Sequence, residues 1–121
     1  MTKDNYLDIA KIAVKAMDSK RGEDIEVIKV SDITVLTDYF VIASASNQNQ
    51  VQAMVDNVDE TLGRAGFEAK QIEGTRNSSW VLMDYGDMIV HVFDEENRLF
   101  YDLERIWRDG KVLDVNEFLE K

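Results

Sequence analysis

The sequence has no cysteine, no proline and a single histidine among its 121 residues. Without cysteine, a disulfide framework, a thiolate zinc site and a cysteine nucleophile are all excluded. One histidine is too few for a histidine-rich metal centre, and we expect neither a metal nor a cofactor. No apolar run reaches the length of a membrane-spanning helix, and the N-terminus lacks the basic and apolar regions of a signal peptide. We therefore expect a cytoplasmic protein that does not bind membranes.

Glycine is also scarce, and the six glycines are scattered. No linker, internal repeat or low-complexity segment interrupts the chain. A chain of this length buries enough surface to fold without a metal or a disulfide. We therefore expect one domain over residues 1–121.

Positive charge is in the minority, because 14 basic residues face 24 acidic ones and the formal net charge is -10. Binding to nucleic acid draws most of its affinity from neutralised phosphates, so we expect no direct dependence on nucleic acid. An acidic protein suits a basic protein partner, because complementary fields speed their encounter. The same charge also serves solubility alone, and the composition leaves both interpretations open.

The spacing of apolar residues predicts a single α/β domain, a mixed β-sheet flanked by helices. Helices are predicted over 4–19, 47–65 and 94–108, with a short final helix beginning at Asp114. Strands are predicted over 25–30, 39–45, 67–72, 79–84 and 87–93. The continuous apolar run 39–45 is typical of a central strand that is covered on both faces. Asn47 with Gln50 forms a predicted capping pair.

Ser44 and Ser46 lie between a predicted strand and a predicted helix, where backbone N–H groups can cradle a phosphate. The same order suggests a nucleotidyltransferase fold, whose enzymes need two carboxylates, two residues apart, on the next strand. That strand has Glu68 followed by Lys70, which would repel a metal ion. The residues therefore predict no catalytic site, and the two serines are interpreted as capping the helix.

A hairpin with Tyr85–Gly86 as its loop would pair Asp84 with Asp87 and Trp80 with His91. Because side chains alternate along a strand, the hairpin then has two different faces. One face is entirely apolar and predicts core: Val81, Met83, Met88, Val90 and Val92. The other mixes aromatic, aliphatic and acidic groups: Trp80, Leu82, Asp84, Asp87, Ile89, His91 and Phe93. The pattern alone fits a partner-binding surface or a core face covered by a further helix.

Three segments, WVLMDYGDMIVHVF at 80–93, DYFVIAS at 38–44 and RLFYDLERIW at 98–107, resemble the ribosomal silencing factor family RsfS, also called Iojap. The resemblance covers essentially the whole chain. It implies a nucleotidyltransferase-like fold without catalytic carboxylates and a protein that is not an enzyme.

The same resemblance implies binding to the large ribosomal subunit through its ribosomal protein fourteen. Bound there, the protein would block joining with the small subunit and repress translation under nutrient limitation. The resemblance places partner binding on the hairpin region: Trp80, Leu82, Asp84, Tyr85, Asp87, Ile89 and His91. The alternatives are a degenerate nucleotide-binding protein or transferase that uses Ser44 and Ser46, and a small assembly module with another partner. A homodimer of the free protein is also open, because an exposed apolar face can pair with its own copy.

Overall fold

The computed structural model describes residues 3–31, 35, 37–74, 80–94 and 111–113. Within these ranges two helices and six strands follow one another along the chain. They are α1 (Lys3–Ser19), β1 (Glu23–Lys29), β2 (Tyr39–Ala45), α2 (Gln48–Arg64), β3 (Gln71–Glu73), β4 (Trp80–Asp84), β5 (Met88–Asp94) and β6 (Lys111–Leu113). Neither of the two described helices is long and apolar enough to cross a membrane.

The strands form one mixed sheet in the order β3-β4-β5-β2-β1-β6. In this described sheet only the central pair, β2 and β5, is parallel. The other four pairs of adjacent strands are antiparallel. All seven residues of β2 are buried, as the continuous apolar run predicted. The predicted fold class, an α/β domain with a mixed sheet, is confirmed.

The two helices pack on the same face of the sheet and on each other. The stripe that predicted α2 is its buried side: Val51, Met54, Val55, Val58 and Leu62. These side chains meet Val41, Val81, Met83, Val90 and Val92 of the sheet in the larger hydrophobic cluster, the helix-side cluster. Burying residues three and four apart on one helix side drives this packing, because each large aliphatic side chain removed from water contributes roughly 1.5–3 kcal/mol.

The opposite face of the sheet carries a second, smaller cluster of buried residues. It consists of Ile28, Val30, Phe40, Ile42 and Phe93, with Trp80 and Ile89 partly buried against it. We call the face of the β4–β5 hairpin on this side the outer face.

The helix ends follow from local sequence. Asn47 caps α2, and its side chain accepts a hydrogen bond from the Gln50 backbone N–H at 2.9 Å, so the predicted capping pair is confirmed. Gly66 follows the other end with φ of 97°, a left-handed conformation that glycine adopts without a Cβ penalty. Phe67 N–H then donates to Leu62 C=O at 2.8 Å, and the Phe67 ring packs on the helix-side cluster.

Two strands begin two or more residues away from their predicted start, and a third strand was not predicted. β1 begins earlier, because Glu23 pairs with Ser44 across an irregular register. β3 holds only Gln71–Glu73, because Phe67 is used in the end of α2 and not in the sheet. β6 was not predicted, since three residues carry too little periodicity to detect. Asp94 is the last residue of β5, and the helix predicted to begin there and the final short helix lie outside the described residues.

Candidate functional site

The hairpin turn is displaced by one residue from its predicted position. Tyr85 N–H donates to Met88 C=O at 2.9 Å, so Gly86 and Asp87 form the loop in place of Tyr85 and Gly86. The Asp84 carboxylate accepts the Gly86 N–H at 2.7 Å, and Gly86 has φ of 91°. An aspartate side chain that binds the backbone two residues later favours a turn at that point.

The pairing is therefore two residues away from the predicted one, yet the two faces are unchanged. Trp80 lies opposite Phe93, Leu82 opposite His91, and Asp84 opposite Ile89. Moving the loop by one residue changes the partner of every residue by two, and side chains alternate with a period of two. The core side of the predicted pattern is confirmed, because Val81, Met83, Met88, Val90 and Val92 are all buried in the helix-side cluster.

The outer face of the hairpin presents an apolar strip beside acidic groups. Trp80, Leu82 and Ile89 are half-buried, and so is the carboxylate-bearing Asp84. The edge strand β3 adds two residues that the sequence interpretation missed. Glu73 pairs with Leu82 and Gln71 pairs with Asp84, and both are exposed. Their alternation would have indicated this only if the true bounds of β3 had been known.

His91 lies on the outer face of β5, but it is buried there, with only 3% of its area exposed. The Trp80 indole Nε1 donates to His91 Nδ1 at 3.1 Å. Phe40 meets the imidazole edge-on at a centroid distance of 4.9 Å, and Trp80 stacks on Phe93 at 5.3 Å. The ring is thus held inside an aromatic cluster and not at the surface, and the part of His91 in partner binding stays a prediction.

Burial lowers the pKa of His91 to about 4, because the charged imidazolium loses its hydration. The ring is neutral at pH 7. Since Nδ1 accepts the indole N–H, the proton of the neutral ring is on Nε2. No described residue provides a hydrogen-bond partner for that buried Nε2.

Tyr85 belongs to the opposite side of the hairpin. Its ring packs against the helix-side cluster, and its hydroxyl is buried with no hydrogen-bond partner among the described residues. Burial raises the pKa of the Tyr85 phenol, and the negative charge of Asp59 on α2 raises it further. The predicted position of Tyr85 in the hairpin loop is therefore wrong, and its part in partner binding stays a prediction. Asp87 is a half-buried residue of the turn.

The start of α2 was the competing candidate site. Ser44 is buried within β2, and Asn47 caps the helix, so the interpretation of the two serines as caps is wrong. Gln50 accepts the Ser46 N–H at 2.7 Å, and its amide donates to the carbonyls of Lys20 and Arg21, both at 2.9 Å. The chain's own side chains thus occupy backbone groups that a phosphate would need.

An open cleft of about 440 Å³ lies beside this helix start. Nothing in its lining resembles a metal-dependent transferase site. Within the described residues no three His, Asp or Glu side chains are grouped so that they could hold a metal ion.

Comparison with known proteins identifies the family of this chain. Residues 3–121 match the family described as "RsfS: Ribosomal silencing factor during starvation". The chain belongs to the RsfS family. The resemblance of the three sequence segments to this family is thereby confirmed.

Two bacterial members of known sequence or structure are similar over most of their length. Ribosomal silencing factor RsfS of Bacillus subtilis is 38% identical over 112 residues, which are 93% of this chain and 95% of the relative. A crystal structure of a Chromobacterium violaceum protein superposes with a TM-score of 0.80 at 34% identity and covers 84% of each chain.

A mouse protein named "Mitochondrial assembly of ribosomal large subunit protein 1" is 31% identical over 97 residues. The match covers 78% of this chain but only 42% of the mouse protein.

Proposed function

We propose that this member of the RsfS family binds the large ribosomal subunit in the cytoplasm, with ribosomal protein fourteen of that subunit as its partner, and thereby prevents the small subunit from joining. The observation that carries the proposal is the outer face of the hairpin, where half-buried Trp80, Leu82 and Ile89 lie beside the carboxylates of Asp84 and Glu73. Interfaces combine such an apolar centre with a polar rim. The name of the mouse relative, which refers to the large subunit, supports the choice of subunit.

The charge of the chain supports a basic partner. A net charge of -10 and carboxylates on the outer face favour approach to a positively charged protein surface, and complementary fields act mainly on the association rate. We therefore expect salt to slow association more than it speeds dissociation.

The proposed mechanism is occlusion and requires no chemical step. A folded domain that covers part of the subunit interface prevents the contacts that joining needs. Trp80 is the expected anchor, because large aromatic side chains with a polar edge dominate interface energies. Leu82 and Ile89 extend its apolar contact, and the carboxylates orient the approach.

Sedimentation with isolated subunits tests the proposal. We expect the protein to co-sediment with large subunits and not with small ones, and a complex formed in advance should suppress subunit joining measured by light scattering. Equal binding to both subunits, or to neither, would refute the proposal.

The Asp84→Asn variant tests the contact face, because its amide oxygen can still accept the Gly86 N–H while its charge is removed. The matched control is Asp56→Asn, which makes the same charge change on an exposed position of α2. We expect Asp84→Asn to slow association roughly 2- to 5-fold and Asp56→Asn to leave it nearly unchanged. Equal effects of the two variants would show that only the total charge matters and that the outer face is not the contact.

A further inference from the structure

The hydrogen bond between Trp80 and His91 links the exposed and the buried parts of the outer face. Trp80 is half-buried, whereas His91 is only 3% exposed. The bond joins the indole Nε1 to Nδ1 at 3.1 Å across adjacent strands, and the two ring centroids are 5.9 Å apart. The buried His91 imidazole therefore fixes the orientation of the half-buried Trp80 indole.

We infer that His91 is a positioning residue for partner binding, whose Nδ1 holds the Trp80 indole in the orientation that the partner requires. The inference rests on the proposed function, in which Trp80 is the anchor of the contact. It assigns His91 a part in recognition without any contact between His91 and the partner.

The surroundings of His91 explain why packing alone does not account for a histidine there. Its neighbours on this face of the sheet include Phe40, Ile42 and Phe93, all apolar and buried. Its Nε2 is buried without a hydrogen-bond partner among the described residues. A buried donor without a partner destabilises a fold, and an apolar side chain of similar size avoids that cost. What the imidazole provides and an apolar side chain does not is an acceptor for the indole N–H.

An anchor that is held in its bound orientation before association loses less conformational freedom on binding. Aromatic stacking on Phe93 restricts the plane of the Trp80 ring, and the bond to Nδ1 restricts its rotation within that plane. Loss of the acceptor should therefore weaken partner binding by roughly 3- to 10-fold while the fold is retained. Removal of the whole indole should weaken it by roughly 30-fold or more.

Three substitutions at one position separate the acceptor from packing. His91→Leu removes every hydrogen-bonding atom, and His91→Asn keeps an acceptor near the place of Nδ1. His91→Gln, the matched control, carries the same amide near the place of Nε2, where the indole does not reach. Melting temperature, affinity for isolated large subunits and the ¹H–¹⁵N resonance of the Trp80 indole are measured for each variant. Trp80→Phe assigns that resonance against the chain's other tryptophan, Trp107.

We expect His91→Leu to melt no lower than the wild type, to shift the Trp80 indole resonance towards its solvent-exposed position and to bind 3- to 10-fold more weakly. His91→Asn should restore both the resonance and the affinity, whereas His91→Gln should not. If His91→Leu fails to fold, the contrast between Asn and Gln decides the question with two polar variants.

Wild-type affinity of His91→Leu or His91→Gln, in a series where Trp80→Ala binds weakly, would overturn the inference and leave the proposed contact face intact. If Trp80→Ala instead binds with wild-type affinity, the proposal that the outer face contacts the partner is refuted. The two failures are thus distinguishable.

Discussion

Acidification should destabilise this protein through His91. Burial lowers the pKa of His91 in the folded protein to about 4, against 6.5 for an exposed histidine. Between these values the unfolded chain binds a proton that the folded chain does not, so the free energy of unfolding falls as the pH falls. The cost of protonating His91 is therefore small above pH 6.5 and grows progressively as the pH falls towards 4. Linkage with these two values gives a loss of about 2 kcal/mol by pH 5 and about 3 kcal/mol at pH 4.

The loss has a second structural cause in the same direction. A protonated imidazole carries a hydrogen on Nδ1, which then faces the indole N–H of Trp80 with donor against donor. We therefore expect the Trp80 ring to leave its position when His91 is protonated.

Urea unfolding at pH 7, 6 and 5, for the wild type and for His91→Leu, measures this contribution. The acidic residues titrate in both proteins, so the difference between the two curves isolates His91. We expect the wild type to lose about 2 kcal/mol more than His91→Leu between pH 7 and pH 5. A difference that stays constant over this range would refute the assigned burial and neutrality of His91.

Substitutions at four further positions test the fold and the face assignment. Val90→Asp should abolish folding, because it buries an unpaired charge in the helix-side cluster. Trp80→Ala should lower the melting temperature but still fold. If circular dichroism shows both variants equally unfolded, the face assignment is contradicted. Asn47→Ala should lower the free energy of unfolding in urea by about 1 kcal/mol, because it removes the cap of α2, and Asn47→Asp should lower it much less. If both variants lose the same stability, the cap is not the cause. Gly74→Ala should lower the free energy of unfolding by more than about 1 kcal/mol, because φ of Gly74 is 110° and an added Cβ would lie 2.8 Å from the Trp80 carbonyl oxygen. An unchanged urea midpoint would contradict this backbone geometry.

The long periodic elements were predictable because many residues report the same period. The stripe of α2, the seven-residue run of β2 and the alternation within the hairpin each identify their element and its buried side. Short elements and chain ends carry no such redundancy. β3 and β6, of three residues each, were misplaced or missed for this reason.

In the candidate site, too, the local pattern predicted some features and missed others. Alternation assigned Trp80, Leu82 and Ile89 correctly to the outer side of the hairpin, and it did so although the loop was one residue out. It placed His91 there as well, but alternation says only to which side of a sheet a side chain points. Whether that side chain meets solvent depends on what packs over the strand.

Taken by itself, the sequence determined the fold class, the main helices and strands, the two faces of the hairpin and the likeness to one family, because each is encoded in local period or in contiguous motifs. Only the tertiary structure decided which outer-face groups reach the surface: it buried His91 to 3%, turned Tyr85 towards α2 and brought Glu73 of β3 beside Leu82. Burial and neighbours come from segments distant in sequence. Aromatic stacking and the bond from Trp80 to Nδ1 therefore exist only once the strands are paired.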